Sequence, residues 1–167
     1  MPDYLRHRAA GGTYFFTVNL AERRSAMLVE HIDALRAAFV ATRRARPFKL
    51  DAIVVLPEHL HCLWTLPVGD DDFPVRWAQI KAGFSRHVAG DEYRRRSRIR
   101  KRERGVWQRR YWEHLIRDED DLHRHLDYVH FNPVKHGHVG LAADWPHSSF
   151  LRYVARGIYP MDWAGPA

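Results

Sequence analysis

The spacing of apolar residues changes several times along the chain, and each change marks an element. From Gly11 to Leu20 aromatic and β-branched residues crowd a short run (GGTYFFTVNL), which predicts a first strand. Ile32, Leu35, Phe39 and Val40 then recur at helical spacing within His31 to Arg46, and Pro47 closes the segment, so a first helix is expected there. Phe48 to Leu56 and His59 to Leu66 have strand length and are separated only by Pro57 and Glu58, a gap short enough for a hairpin. Val75, Ile80, Phe84 and Val88 predict a second helix over Phe73 to Val88. Tyr111 to Arg117 reads as a fourth strand, and Asp118 is a good N-cap for a third helix running toward Pro133. A last short helical stretch is expected from Ser148 to Ala155. Strand, helix, strand, strand, helix, strand is the order of a ferredoxin-like α+β sandwich with a central antiparallel sheet, here with an extra C-terminal helix.

The chain has 167 residues, 46% of them apolar, which suits one core and predicts one domain over 1–167. No stretch approaches the roughly 20 uncharged apolar residues of a membrane span. The first residues lack the pattern of a signal peptide, so a cytoplasmic location without membrane partners is expected. Cys62 is the only cysteine, which excludes an internal disulfide and a multi-cysteine zinc site; any metal must be held by nitrogen and oxygen. The net charge of +7 is concentrated: ten Arg or Lys fall between Arg94 and Arg110 against the single acid Glu103. Guanidinium groups in such a run can donate paired hydrogen bonds to phosphate oxygens and release counterions. Arg94, Arg95, Arg96, Arg98, Arg100, Lys101, Arg102, Arg109 and Arg110 are therefore expected to contact nucleic acid. Trp107 and Tyr111 lie among them, and flat rings beside guanidinium groups can stack unpaired bases. A solvated basic linker is the plainer alternative. The residues from 138 to 167 form a Pro/Gly-containing tail.

His59 and His61 flank Leu60, and in a strand positions i and i+2 share a face, so both imidazoles can bind one ion. With 12 histidines the pair alone is a weak signal; His123/His125 and His136/His138 are spaced alike, but only the first pair lies on a predicted strand. Two sheet-surface histidines bonded to water are the competing reading. On the third helix Leu122, Leu126 and Val129 form an apolar stripe that should face the sheet. Beside it Asp121, His125, Tyr128 and Asn132 make a second stripe, and Tyr128 and Asn132, four apart, can project a phenol and an amide oxygen to one point. Pro133 predicts a kink or helix end at Asn132.

The run Leu56-Pro57-Glu58-His59-Leu60-His61, the run from Asp127 through Tyr128, Asn132, Pro133 and Lys135 to Gly137, and Trp145-Pro146-His147-Ser148-Ser149-Phe150 closely resemble the REP-associated tyrosine transposases. These are single-tyrosine members of the HUH endonuclease superfamily. The resemblance covers nearly the whole chain, with one departure at Glu58, where relatives more often show Asn. It implies that His59 and His61 are paired metal ligands, Asn132 the third ligand, and Tyr128 the nucleophile. It also implies a divalent metal, Mg²⁺ or Mn²⁺, and a substrate of single-stranded DNA with a hairpin, the REP-like palindrome, cut through a 5′-phosphotyrosine. Lys135, His114 and His125 are further candidates for phosphate contact or proton transfer. A hairpin-binding module without cleavage, and a metal-dependent phosphoesterase that does not use Tyr128, are the rival readings. Hairpin sequence, preferred metal and oligomeric state, a monomer included, stay open.

Overall fold

The computed structural model describes residues 8–88 and 105–167. Strand β1 (Thr13–Asn19) leads through a single helical turn, α1 (Met27–Glu30), into helix α2 (Ile32–Ala45). Strands β2 (Lys49–Val55) and β3 (His59–Thr65) form the expected hairpin, followed by helix α3 (Phe73–His87). Strand β4 (Trp112–Leu115) precedes the 17-residue helix α4 (Glu119–Lys135), a 3-10 turn (Ala142–Asp144) and helix α5 (Phe150–Ala155). The strands form one sheet in the order β2-β3-β1-β4, with every neighbouring pair antiparallel. That is the α+β arrangement the element order predicts. Among the described residues no helix is long and apolar enough to cross a membrane.

Strand alternation gives the sheet two apolar faces. Tyr14, Phe16, Val18, Leu60, Cys62 and Trp64 point to α2 and α3, where Trp64 stacks on Trp77 at 4.4 Å and on Phe48 at 4.0 Å. These helices approach closely because α3 carries Gly83, where a Cβ would lie 3.2 Å from the Cβ of Ala38. Phe15, Val54 and Leu63 point the other way, to Leu126 and Val129 of α4 and to Phe150 and Tyr153 of α5. The chain therefore stacks as helices, sheet, helices. The site described below lies in the second interface.

Helix α4 begins where Asp118 accepts a hydrogen bond from the Asp121 amide at 2.8 Å, and three acids occupy its first turn, where the helix dipole favours them. It does not end at Asn132. The helix runs through Pro133 to Lys135, and the Asn132 carbonyl accepts from the His136 amide at 3.0 Å. Pro133 removes only one donor, and the packed sheet face holds the remaining ladder in register. The helix ends as a Schellman cap: Gly137 takes φ of +75°, its amide bonds to Val134 O, and the His138 amide bonds to Pro133 O. A side chain at position 137 would be strained there, which explains why glycine follows His136.

The Trp145 to Ser149 segment closes the outer edge of β2. The Val55 amide donates to His147 O at 2.8 Å, the Ser149 amide donates to Ile53 O at 2.9 Å, and the Trp145 indole donates to Val55 O at 3.0 Å. An edge strand is thereby denied to other chains.

Candidate metal and nucleophile site

Register places the key side chains in one row across the sheet. Val54 on β2 is the partner of His61 on β3, His61 of Thr17 on β1, and Thr17 of Trp112 on β4. His59 lies two residues away on the same face as His61, with ring centroids 4.9 Å apart. The Thr17 hydroxyl lies 2.8 Å from His61 Nδ1, and a Glu58 carboxylate oxygen lies 2.6 Å from His59 Nδ1. Each imidazole is thus oriented through Nδ1, which leaves Nε2 as the nitrogen that could serve as a ligand atom, an arrangement usual for metal-bound histidines. Glu58, the departure from the expected Asn, fits the site as an orienting acceptor.

His61 is 3% exposed, and burial, reinforced by the nearby charges of His59, His136 and Lys135, pushes its pKa down to about 3. It is a neutral imidazole at physiological pH, as metal ligation requires. Its Nε2 is buried with no hydrogen-bond partner.

From above the sheet, α4 brings Tyr128 to within 5.2 Å of His61 and 5.8 Å of Phe15, ring to ring. Tyr128 is 38% exposed, and the Lys135 ammonium sits over its ring at 4.8 Å. At the far end of the helix His136 lies 5.4 Å from His59. Asn132 falls between these two contacts along the helix, is fully buried, and neither its Oδ1 nor its Nδ2 has a hydrogen-bond partner. A buried amide with both atoms unpaired costs free energy unless something binds it. His59, His61 and Asn132 together are therefore a fitting N,N,O donor set for a divalent cation.

A second group could also hold a metal ion: ligand atoms of His114, Asp121 and His125 all lie within 4.8 Å of one another. Its members already serve one another. Asp121 accepts from His114 Nε2 at 2.8 Å and from the Arg117 amide at 3.0 Å, and His125 Nδ1 lies 2.7 Å from the Asp121 carbonyl. Burial alone would raise the Asp121 pKa, but these donors hold it well below the usual carboxylate range. The cluster fastens the start of α4 to β4.

The basic segment divides. Arg94, Arg95, Arg96, Arg98, Arg100, Lys101 and Arg102 lie outside the described residues. Arg109 and Arg110 are exposed at the entrance to β4. Trp107, expected at the nucleic-acid surface, is instead 7% exposed; its indole donates to Lys81 O at 3.1 Å and its ring packs on Phe84. Tyr111 is likewise committed, against Phe16 and Trp77. The ring left open is Trp112, 56% exposed, which proximity to arginines alone does not single out.

No family model matches the chain. A REP-associated tyrosine transposase of Escherichia coli K12 is 50% identical over 165 residues, covering 99% of this chain and 92% of the relative. The chain belongs to the REP-associated tyrosine transposases. A family member from Haemophilus influenzae is 46% identical over 166 residues, covering 99% of this chain and 94% of its own. A solved structure of a REP-associated tyrosine transposase bound to a REP hairpin superimposes with a TM-score of 0.87 at 50% identity, covering 99% of this chain and 93% of the other. Membership of a transposase family makes an enzyme acting on DNA the frame for the groups described above.

Proposed function

We propose that this protein is a metal-dependent, single-tyrosine endonuclease and strand transferase that cuts single-stranded DNA beside a hairpin. The observation that carries the reading is that two buried, unpartnered ligand groups, His61 Nε2 and the Asn132 amide, accompany the exposed Tyr128, whose ring lies against His61 and one helical turn before Asn132. Structural packing does not call for that combination. A REP-like hairpin is the proposed substrate, supported by the ligand of the solved relative.

His59, His61 and Asn132 would hold Mg²⁺ or Mn²⁺, which polarises the scissile phosphate and offsets the charge of the transition state. Thr17 and Glu58 orient the two imidazoles. The Tyr128 oxygen attacks phosphorus as the bond to the 3′-oxygen breaks, giving a 5′-phosphotyrosine and a free 3′-hydroxyl; the phenol gives up its proton and the departing oxygen gains one. Lys135, held against the ring of Tyr128, places a positive charge beside the phosphate during both steps. A phenolate leaves more readily than an alkoxide, so a 3′-hydroxyl can reverse the step and rejoin DNA without a nucleotide cofactor.

Tyr128→Phe tests the reading, because it removes one oxygen from a half-exposed ring and leaves the packing on Phe15 and His61 intact. Wild-type protein incubated with labelled hairpin DNA and Mn²⁺ is expected to carry label after denaturation, whereas the variant carries none and still binds hairpin within a few-fold. Label on the variant would identify another nucleophile; cleavage by the variant without label would favour the phosphoesterase reading.

A further inference from the structure

The face that carries His61 is only partly roofed. Helix α4 crosses the sheet obliquely, from His114 on β4 at its start to His59 on β3 at its end. It covers the row containing Phe15 and its partner His114, where His125 stacks on His114 at 4.7 Å and packs on Phe15 at 4.8 Å. The next row on that face, His61, Thr17 and Trp112, is covered at the His61 end and open at the Trp112 end. Adjacent strands lie about 4.8 Å apart, so two spacings separate Trp112 from His61 by about 10 Å. Trp112 is thus a neighbour of the site within the same row, joined to it through the Thr17 that orients His61.

The surroundings of Trp112 specify what it can meet. Trp64, Trp77 and Trp107 are buried, whereas Trp112 is 56% exposed and its ring touches no other aromatic ring among the described residues. Its neighbours on the face, Thr17 and His114, are polar, so there is no contiguous apolar patch of the kind a protein partner would cover. Arg109 and Arg110, two and three residues earlier, are exposed, and neither is paired with an acid among the described residues. A flat ring beside unpaired guanidinium groups is the composition of a platform for single-stranded nucleic acid, in which the ring stacks a base and the cations meet phosphates. A base within a duplex already has both faces stacked, so the platform suits an unpaired one.

We propose that Trp112, with Arg109 and Arg110, forms a stacking subsite for an unpaired base close to the scissile phosphate. The inference rests on the functional reading above and adds how the strand is held beside Tyr128: the stacked base and the metal ligands grip the DNA at two points about 10 Å apart, one strand row, and the phosphate between them faces the phenol. Trp112 is a positioning residue, not a participant in bond breaking.

The test uses binding, measured by fluorescence anisotropy in chelator, so that it does not depend on Tyr128 chemistry. The probe is a labelled REP-type DNA hairpin with short single-stranded flanks, prepared intact and with an abasic site at each flank position in turn. Trp112→Ala is expected to weaken binding of the intact probe by about 5- to 150-fold, the range for removal of one stacked base. One abasic position should cost the wild type a similar factor and cost Trp112→Ala nothing further, while Trp112→Phe restores most of the affinity. The ring is exposed, so thermal melts of both variants should match the wild type. A Trp112→Ala variant that binds like the wild type, or that suffers the abasic losses in full at every position, overturns the subsite alone. Wild-type protein that fails to bind the probe overturns the functional reading and the subsite with it.

Discussion

Asn132→Leu should make the metal-free protein more stable while destroying its activity. Leucine has the same number and branching of side-chain heavy atoms as asparagine, so the substitution removes polarity without opening a cavity, a gain offset in part by the fit of two bulkier methyl groups. Both polar atoms of Asn132 are buried and unpartnered, and each such group typically costs about 1–3 kcal/mol. Relief of one of these penalties in chelator should raise the melting temperature by roughly 2–12 °C for a chain of this size, and relief of both by up to twice that. Mn²⁺ should then act unequally on the two proteins. Free metal at about 100 times its dissociation constant stabilises a binding-competent protein by about 2.7 kcal/mol, so the wild type should gain several degrees and the variant far less. Differential scanning fluorimetry with a Mn²⁺ titration, alongside hairpin cleavage, measures all of this. If the variant melts lower than the wild type in chelator, the amide has structural partners and the argument from orphaned atoms fails. If Mn²⁺ stabilises both proteins equally, the cation binds elsewhere, with His114, Asp121 and His125 the next place to look.

Two further outcomes are expected. Burial, with the nearby Arg152 charge, pushes the His130 pKa down to about 4, whereas in the unfolded chain it titrates near its ordinary 6.5. The unfolded state therefore binds the extra proton first as pH falls: this contribution is complete above about pH 6.5, declines below it and is gone by about pH 4, a change of order 3 kcal/mol. Urea midpoints at about pH 7.5 and about pH 4 in chelator should differ less for His130→Gln than for the wild type; equal differences would refute the assignment. Replacing Arg94, Arg95, Arg96 and Arg98 by Gln should flatten the salt dependence of DNA binding by about 0.7 in log-log slope for each single-strand phosphate that an arginine no longer neutralises, and an unchanged slope would mark the run as a bystander.

The parts of this molecule that follow local rules are legible in the sequence. Alternation places His59 and His61 on one strand face, and helical spacing sets Tyr128 and Asn132 one turn apart. Registers between distant strands have no such local signal. That is why Thr17, which orients His61 from another strand, cannot be read from the sequence, and why its arginine-rich run points to Trp107, which is buried, and passes over Trp112, which is exposed. Both indoles lie among arginines, but β4 is only four residues long and offers too little alternation to show which rings face inward. Pro133 misleads for a related reason: a proline predicts a break from local sterics, whereas burial of Val129 and Asn132 against the sheet keeps the helix whole. The serine motif near the C-terminus is recognisable as a pattern but not as a clasp. Its bonds run to Ile53 and His130, about a hundred and about twenty positions away.

Helix α4 is fastened along its length: at its start through Asp121 to His114, in its middle through His130 to Ser149, and beside that through Tyr159, which donates to Asp127 at 2.9 Å. Elements that swing during a reaction cycle are drawn from the weakly held parts of a protein, and this helix is not among them. If a severed strand is to be joined to a different end, the traveller must be the nucleic acid. On the proposed function, one end would depart and another arrive at a tyrosine that stays where it is, and the choice of product would belong to how the DNA folds and refolds around a stationary vice.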